Sequence, residues 1–462
     1  MFKKLISFSV KLVQKYLPEP FVFAIILTLV AFICSVFVTN QSPLETLNNW
    51  GNGVWALLGF AMQMSLVLVC GSALADAKIV KSGLRKLASI PKTPIAAIAI
   101  VTIISSIACW INWGFGLIVG AVFAKEIARS IKGVDYRLLI ASAYSGFVVW
   151  HAGLSASIPL AMATEGQALT EVSRGIITSA IPIADTIFAT YNIILVMVVI
   201  AALTFVNTLM HPKGAEVISI DPKLLQESED IAASTDPKFS NTCKSSDAPK
   251  ASTAADKLNN SKLLSLIVSL MGLGYLAIKI VNGGSLDLNG VIMLFLFLGL
   301  LLHKTPVAYV KSITTSTQAS AGILLQFPFY AGIMGIMTAS SAEGISLAGE
   351  ISNACVAIAN EHTFPVLSFL SAGIVNVFVP SGGGQWAVQA PIMIPAGVEL
   401  GVKPAVVGMA IAWGDAWTNL IQPFWALPAL AIAKLDARDI MGFCLINLFT
   451  IGLIVAIAFL IL

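Results

Sequence analysis

Apolar runs long enough to cross a bilayer recur from one end of the chain to the other. Residues 21–38, 191–210 and 443–462 each reach the roughly 20 residues that a helix needs to span the hydrocarbon core. The first 18 residues read differently. Lys3, Lys4, Lys11 and Lys15 punctuate an apolar pattern there, as in a basic amphipathic helix on the cytoplasmic surface. No small-residue cleavage site follows that would make this stretch a signal peptide.

Lys and Arg collect in alternate loops, and the positive-inside rule turns that asymmetry into a topology. Lys78, Lys81, Arg85, Lys86 and Lys92 place residues 76–94 in the cytoplasm, whereas 39–53, with Glu45 as its one charged residue, is external. Residues 21–38 therefore run outward and 54–75 return. The next apolar stretch, 95–124, is followed by Lys125, Arg129, Lys132 and Arg137, so both its ends are cytoplasmic. It is too long for one span and too short for the roughly 40 residues of two. A re-entrant hairpin fits, with its tip near 110–116; irregular backbone at that depth must be buried in protein or line a wet cavity. Residues 138–162 then run out and 191–210 return.

After a polar segment at 211–262, the spans 263–281, 291–302 and 315–339 lead to a second hairpin at 364–396, which opens to the opposite face. Residues 403–434 then run inward and 441–462 outward. The predicted fold is an all-α polytopic membrane protein of about nine spans plus two hairpins, in two inverted-topology repeats, each with a re-entrant hairpin and a broken helix. The repeats are 19–210 and 289–462. The flexible cytoplasmic linker 211–262 and an extra connecting span, 263–288, separate them and reverse the second copy.

Composition agrees: 57% of residues are hydrophobic, 11% are charged and the mean hydropathy is +0.88, which excludes an ordinary soluble domain. The net charge of +3 reflects cytoplasmic loops, and no nucleic-acid partner is expected. The six cysteines are scattered, without the paired spacing of a zinc site or disulfide framework. There is no Gly-Lys dipeptide, hence no ATPase phosphate loop, and the driving force must come from a gradient or a separate subunit. No cofactor is expected.

Candidate chemistry lies at the hairpin tips and in the spans that follow them. The first tip reads Trp110-Ile111-Asn112-Trp113-Gly114-Phe115-Gly116 and the second Pro380-Ser381-Gly382-Gly383-Gly384-Gln385-Trp386. Glycine lets backbone approach a ligand and Asn or Gln adds a side-chain oxygen. Close helix packing would explain the glycines but not the whole second string. In the next spans, His151, Ser155 and Ser157 precede Pro159, and Asp415, Thr418 and Asn419 precede Pro423, so each helix should unwind in mid-span. The predicted binding residues are Asn112, Trp113, Gly114, His151, Ser155, Ser157, Ser381, Gly382, Gly383, Gln385, Asp415, Thr418 and Asn419. Na⁺ is expected near Asn112 and Ser155, and near Ser381 and Asn419, if Na⁺ is the coupling ion. His151 and Asp415, the deepest ionisable groups, read equally as proton carriers or as hydrogen-bond partners locking the broken helices.

At these stretches the sequence resembles the short-chain fatty acid transporter family, which includes bacterial acetoacetate and butyrate carriers. The strings that carry it are Cys109-Trp110-Ile111-Asn112-Trp113-Gly114, His151-Ala152-Gly153-Leu154-Ser155, Pro380 to Trp386 and Gly414-Asp415-Ala416-Trp417-Thr418-Asn419. More distantly, the layout looks like the ion-transporter superfamily of citrate and dicarboxylate carriers, which work as dimers with a static scaffold and a mobile domain. The resemblance implies a secondary transporter of small monocarboxylates in the bacterial inner membrane, with its N-terminus cytoplasmic, acting as a homodimer with H⁺ or Na⁺ as coupling ion and elevator-like alternating access. Trp110, Trp113, Trp386 and Trp417 would wall the substrate's short tail. No Arg or Lys lies in the four stretches, which favours symport over exchange. A carrier of dicarboxylates or other small organic anions is the nearest alternative and a channel is next; an enzyme is not expected, since no nucleophile, metal pair or cofactor motif accompanies His151 and Asp415.

Overall fold

The computed structural model describes residues 2–212, 214–220, 253–283, 287–341 and 344–462. Most of the predicted linker, residues 221–252, lies outside them. Among the described residues the chain is helical, with no strand, and eight helical segments are long and apolar enough to cross a membrane. The protein is a multi-pass membrane protein.

The first helix, α1 (Phe2–Tyr16), is amphipathic as expected and lies along the C-terminal helix. Ser9 Oγ donates to the Gly442 carbonyl at 2.7 Å, and Gly442 leaves room for Val10, whose Cα would stand 2.6 Å from a Cβ there. Next come α2 (Pro20–Val38), α3 (Pro43–Gly53), α4 (Leu58–Asp76) and the surface helix α5 (Lys78–Ala88). Pro20 starts α2 where a missing N–H costs nothing, and a Ser42–Glu45 capping box starts α3.

The first hairpin is α6 (Pro94–Ile111) and α7 (Trp113–Ser130), with Asn112 the single residue between them. A Cβ on Gly116 would meet the Cys109 amide at 2.4 Å and one on Gly120 the Ser105 hydroxyl at 2.6 Å. The contacts step backward on one arm as they step forward on the other, so the arms are antiparallel and pressed together by glycine. The span that follows is broken: α8 (Tyr136–Ser145) tightens into a 3₁₀ turn over Gly146–Ala152, the chain opens at 153–156, and α9 (Ser157–Met162) resumes. Short α10 (Gln167–Val172) and the spanning α11 (Thr190–Leu209) complete this half.

After α12 (Ala254–Asn259) and the connecting span α13 (Lys262–Val281), the second half runs α14 (Leu288–His303), α15 (Pro306–Thr317), α16 (Ala321–Thr338) and α17 (Leu347–Val356). The span expected from residue 315 in fact begins at Pro306, because Thr305 accepts from the Ala308 amide and Pro306 opens the helix; α15 and α16 are joined by one 3₁₀ turn. The second hairpin is α18 (Phe364–Phe378) and α19 (Gly382–Glu399). Its arms are tied by amides: Gln385 Nε2 donates to the Ala372 carbonyl at 2.8 Å and Gln389 Nε2 to Ser371 Oγ at 3.1 Å. The second broken span is α20 (Pro404–Thr418), a 3₁₀ turn at Asn419–Ile421, and α21 (Pro423–Ala433); α22 (Ala437–Ile461) ends the fold.

Each half thus contains span, short helix, span, short helix, hairpin, broken span and span in that order, and packing between halves is reciprocal. Helices α2 and α3 pack on α16, while α14 and α15 pack on α4. The hairpins and broken spans form the centre between these outer pairs.

Candidate functional site

Both hairpin tips are built as N-caps. Asn112, at φ −154° and ψ 120°, accepts from the Phe115 amide through Oδ1 at 3.0 Å; Ser381, at φ −150° and ψ 108°, accepts from the Gly384 amide at 3.3 Å. Each side chain satisfies one of the orphan donors of a helix start. The first tip is also bolted to its broken span. Trp113 N–H donates to Ser155 Oγ at 3.0 Å, Leu154 N–H to the Trp110 carbonyl at 2.8 Å, and Trp110 Nε1 to the Ala152 carbonyl at 3.1 Å. Gly153 is required here, since a Cβ would lie 2.1 Å from the Trp110 carbonyl oxygen.

At the centre, residues 264 positions apart meet. His151 Nδ1 lies 3.2 Å from Asp415 Oδ1, and both side chains are buried, 0% and 1% exposed. Ile158 N–H donates to His151 Nε2 at 3.1 Å, so Nε2 is an acceptor and the proton sits on Nδ1. The Nδ1–H of His151 therefore donates to Asp415 Oδ1. Trp150 stacks on the imidazole at 4.0 Å. The second hairpin tip closes over the same ring: a Cβ on Gly382 would meet His151 Cε1 at 2.6 Å and Ser157 Cβ at 3.2 Å. Asp415 Oδ2 is buried without a hydrogen-bond partner.

Next to Asp415 lies a cluster held by Asn376 of α18. Its Nδ2 stands 2.8 Å from the Asp415 carbonyl, 2.9 Å from Thr418 Oγ1 and 2.8 Å from Asn419 Oδ1. An amide has two hydrogens for these three acceptors, so one is left short. Gln422 Nε2 donates to the Asn376 and Val377 carbonyls, and Tyr144 Oη donates to the Asn419 carbonyl across from the first half. Asn376 Oδ1, Gln385 Oε1 and Gln422 Oε1 join Asp415 Oδ2 as buried oxygens without a partner. Each such group costs about 1–3 kcal/mol if nothing binds it.

An aromatic cluster adjoins the first tip. Trp113 faces Phe60, Phe147, Trp150 and Trp425 at centroid distances of 6.1, 6.5, 6.1 and 5.5 Å. It joins α4, α7 and both broken spans. The site is open on one side, where Leu154 and Gly383 are exposed and Ser155 and Ser157 are half-buried. A Cβ on Gly383 would meet nothing within 4 Å. The arrangement thus offers a mouth of hydroxyls and tip amides, a buried titratable pair behind it, and an aromatic wall.

The sequence profile of the short chain fatty acid transporter family matches residues 1–462. The chain belongs to the short-chain fatty acid transporter family. A relative from Escherichia coli K12, assigned provisionally to short-chain fatty acid transport by its name, is 43% identical over 458 residues, covering 99% of each chain. A Haemophilus influenzae relative with the same provisional name is 44% identical over 448 residues, 96% of each chain. The Alcanivorax borkumensis YdaH transporter superposes over 96% of this chain and 98% of its own, with a TM-score of 0.42 and 15% identity, a likeness too loose to carry fold or function.

In this short-chain fatty acid transporter, the predicted residues divide. His151, Ser157, Gly382 and Asp415 come together directly; Thr418 and Asn419 join them through Asn376. Asn112, Trp113 and Ser155 form the bolted first tip, and Gly114 packs beside Leu288, 3.0 Å from where its Cβ would be. Ser381 and Gly383 form the second tip, but Gln385 lies one turn inside α19, fully buried between the arms. Of the four expected tryptophans, Trp113 lies in the aromatic wall. Trp386 packs in a separate cluster with Met162 and Met393, and Trp417 donates to the Leu448 carbonyl at 2.7 Å. Asn376, Tyr144 and Trp425 were not among the expected residues. Their signals are faint in sequence: a lone amide in an apolar helix arm, and aromatics in a chain where 9% of residues are aromatic.

Proposed function

We propose that the chain is a proton-coupled symporter of short-chain monocarboxylates such as butyrate or acetoacetate. The observation that carries this reading is the buried His151–Asp415 pair, which joins the two halves and lies against the second hairpin tip. The substrate carboxylate sits at the N-terminus of α19, on the amides of Gly382 and Gly383, where unsatisfied N–H groups and the helix dipole favour an anion. Ser155 and Ser157 hydroxyls supply further hydrogen bonds, and the short tail lies toward Trp113. A carboxylate arriving beside Asp415 faces like charge. Proton uptake by Asp415 removes that repulsion: with its carboxyl neutral, the anion and the proton bind together and leave together.

The same layout supports elevator-like movement. The hairpins and broken spans, α6 to α9 and α18 to α21, carry the site past a scaffold of the outer helices, with the two halves inserted in opposite senses in the inner membrane and the N-terminus cytoplasmic. A homodimer would steady the scaffold. Na⁺ coupling is the second reading, favoured by the unpartnered oxygens Asn376 Oδ1, Asp415 Oδ2 and Gln422 Oε1. Asn112 and Ser155 fit a Na⁺ site less well, since both oxygens already accept from helix-start amides.

Uptake of labelled butyrate into proteoliposomes, with pH and Na⁺ gradients imposed separately, tests this. Accumulation driven by an inward proton gradient is expected. Accumulation driven by Na⁺ alone selects the second reading, and indifference to both gradients sinks symport.

A further inference from the structure

A second charged site lies at the opposite ends of the helices that frame the centre. A cavity of about 960 Å³ beside Asp185 and Lys403 is larger, but its charges are mixed and none of its lining belongs to a hairpin tip. A cavity of about 420 Å³ between α4, α5, α7, the α15–α16 junction and α21 is lined by Lys81, Lys125, Arg129 and Lys434, with Asp76 and Glu126 as its carboxylates. Four cations against two carboxylates leave a surplus of two positive charges. The acids are engaged: Asp76 pairs with Lys81 at 2.9 Å, and Glu126 with Arg129 and, at 3.6 Å, with Arg85. Lys125 is placed differently. Among the described residues no carboxylate lies within ion-pair distance of it, and its hydrogen bond, to the Ile432 carbonyl, is long at 3.4 Å.

The rest of the lining suits an amphiphilic anion better than an inorganic one. Val122, Ala319, Ala431 and Ile432 give an apolar patch beside the ammonium, and Ser316 and Gln318 add neutral polar groups. Helix α7 connects this cavity to the centre: Lys125 is 12 residues from Trp113, ~18 Å along the helix axis. Helix α21 makes the same connection, from Trp425 in the aromatic wall to Ile432 at the cavity. Both helices belong to the group that would move.

We infer that this cavity is an antechamber that binds the carboxylate of a short-chain monocarboxylate on Lys125, at the Lys- and Arg-rich end of the molecule, before or after its stay in the central site. The inference rests on the monocarboxylate reading above. A single ammonium facing an apolar patch holds such an anion weakly, which a way-station needs, and the surplus charge raises its local concentration.

The test is protection of Lys125 from an amine-reactive ester, read by peptide mass spectrometry on the full chain in detergent. Sodium butyrate should lower labelling of Lys125 about five-fold or more at several times its Kd. Sodium chloride at equal ionic strength should not. Lys78 and Lys86, exposed on α5, should label equally in both. The same protection is expected in Asp415→Asn, which removes proton uptake at the central site, so the result is readable even if no coupled uptake is found. Equal labelling in butyrate and chloride, or protection that vanishes in Asp415→Asn, overturns the antechamber. In transport, Lys125→Gln should raise KM for butyrate from this face about ten-fold at unchanged kcat, the worth of one charge-assisted hydrogen bond, while Lys125→Arg keeps it low. An equal rise from both faces, or none, contradicts the assignment.

Discussion

Single residues carry two kinds of work at the centre, and substitutions separate them. Asp415→Asn keeps the shape and the hydrogen bond from His151 but removes the carboxyl that takes up the proton in the proposed mechanism. We predict that it abolishes accumulation driven by a pH gradient while the protein still folds, as size-exclusion profiles in detergent would show. Asn376→Ala instead strips a donor from Thr418, Asn419 and the Asp415 carbonyl, and should cost about 1–3 kcal/mol in unfolding measurements. Asn112→Ala loses a helix cap, about 1 kcal/mol, whereas Asn112→Ser retains it; if both variants instead lose ion dependence with stability unchanged, Asn112 is a ligand and not a cap. His151 and Asp415 were legible in the sequence because ionisable groups inside apolar runs stand out. Asn376 was not, since no glycine or proline marks its position, and Gln385 was read as a tip residue because the helix start at Gly382 depends on Ser381 capping it, a contact that only the fold reveals.

Elements show the same division between what pattern states and what packing adds. Hairpins and broken spans follow from length, loop charge and proline, and their positions were readable to within a few residues. The bolting of the first tip to residues 152–155 was not, because its hydrogen bonds each end on a backbone group of a segment about 40 positions away. Gly153→Ala should therefore disrupt the centre more than its size suggests, measured as lost uptake with reduced thermal stability. A pH-sensitive joint lies at the end of α11. The buried face of His211 accepts from the Asp135 amide at 3.3 Å, and Asp135 also holds the Ile218 amide at 2.9 Å. Burial keeps the His211 imidazole below its ordinary pKa of 6.5, so the unfolded segment binds more protons across that window. Stability of this joint is full above 6.5 and falls as pH drops toward and through the folded value. Protection factors for amide exchange at 214–220, taken against the intrinsic rate at each pH, should fall on acidification; unchanged protection would remove His211 from the joint.

At the scale of the molecule, two halves with one order of elements pack reciprocally, each half's outer helices against the other's, and bring His151 and Asp415 together across the centre. The reciprocal packing was not legible in the sequence, since contacts between surfaces far apart in sequence leave no periodic trace. This arrangement suits a carrier whose ligand site lies at the seam, with the hairpins and broken spans moving together. Counterflow tests that claim most directly. Proteoliposomes loaded with unlabelled butyrate should take up external labelled butyrate with a transient overshoot that saturates with concentration, acetoacetate inside should replace butyrate, and succinate should not. Linear, non-saturating flux without overshoot, or equal exchange against succinate, would contradict a monocarboxylate carrier.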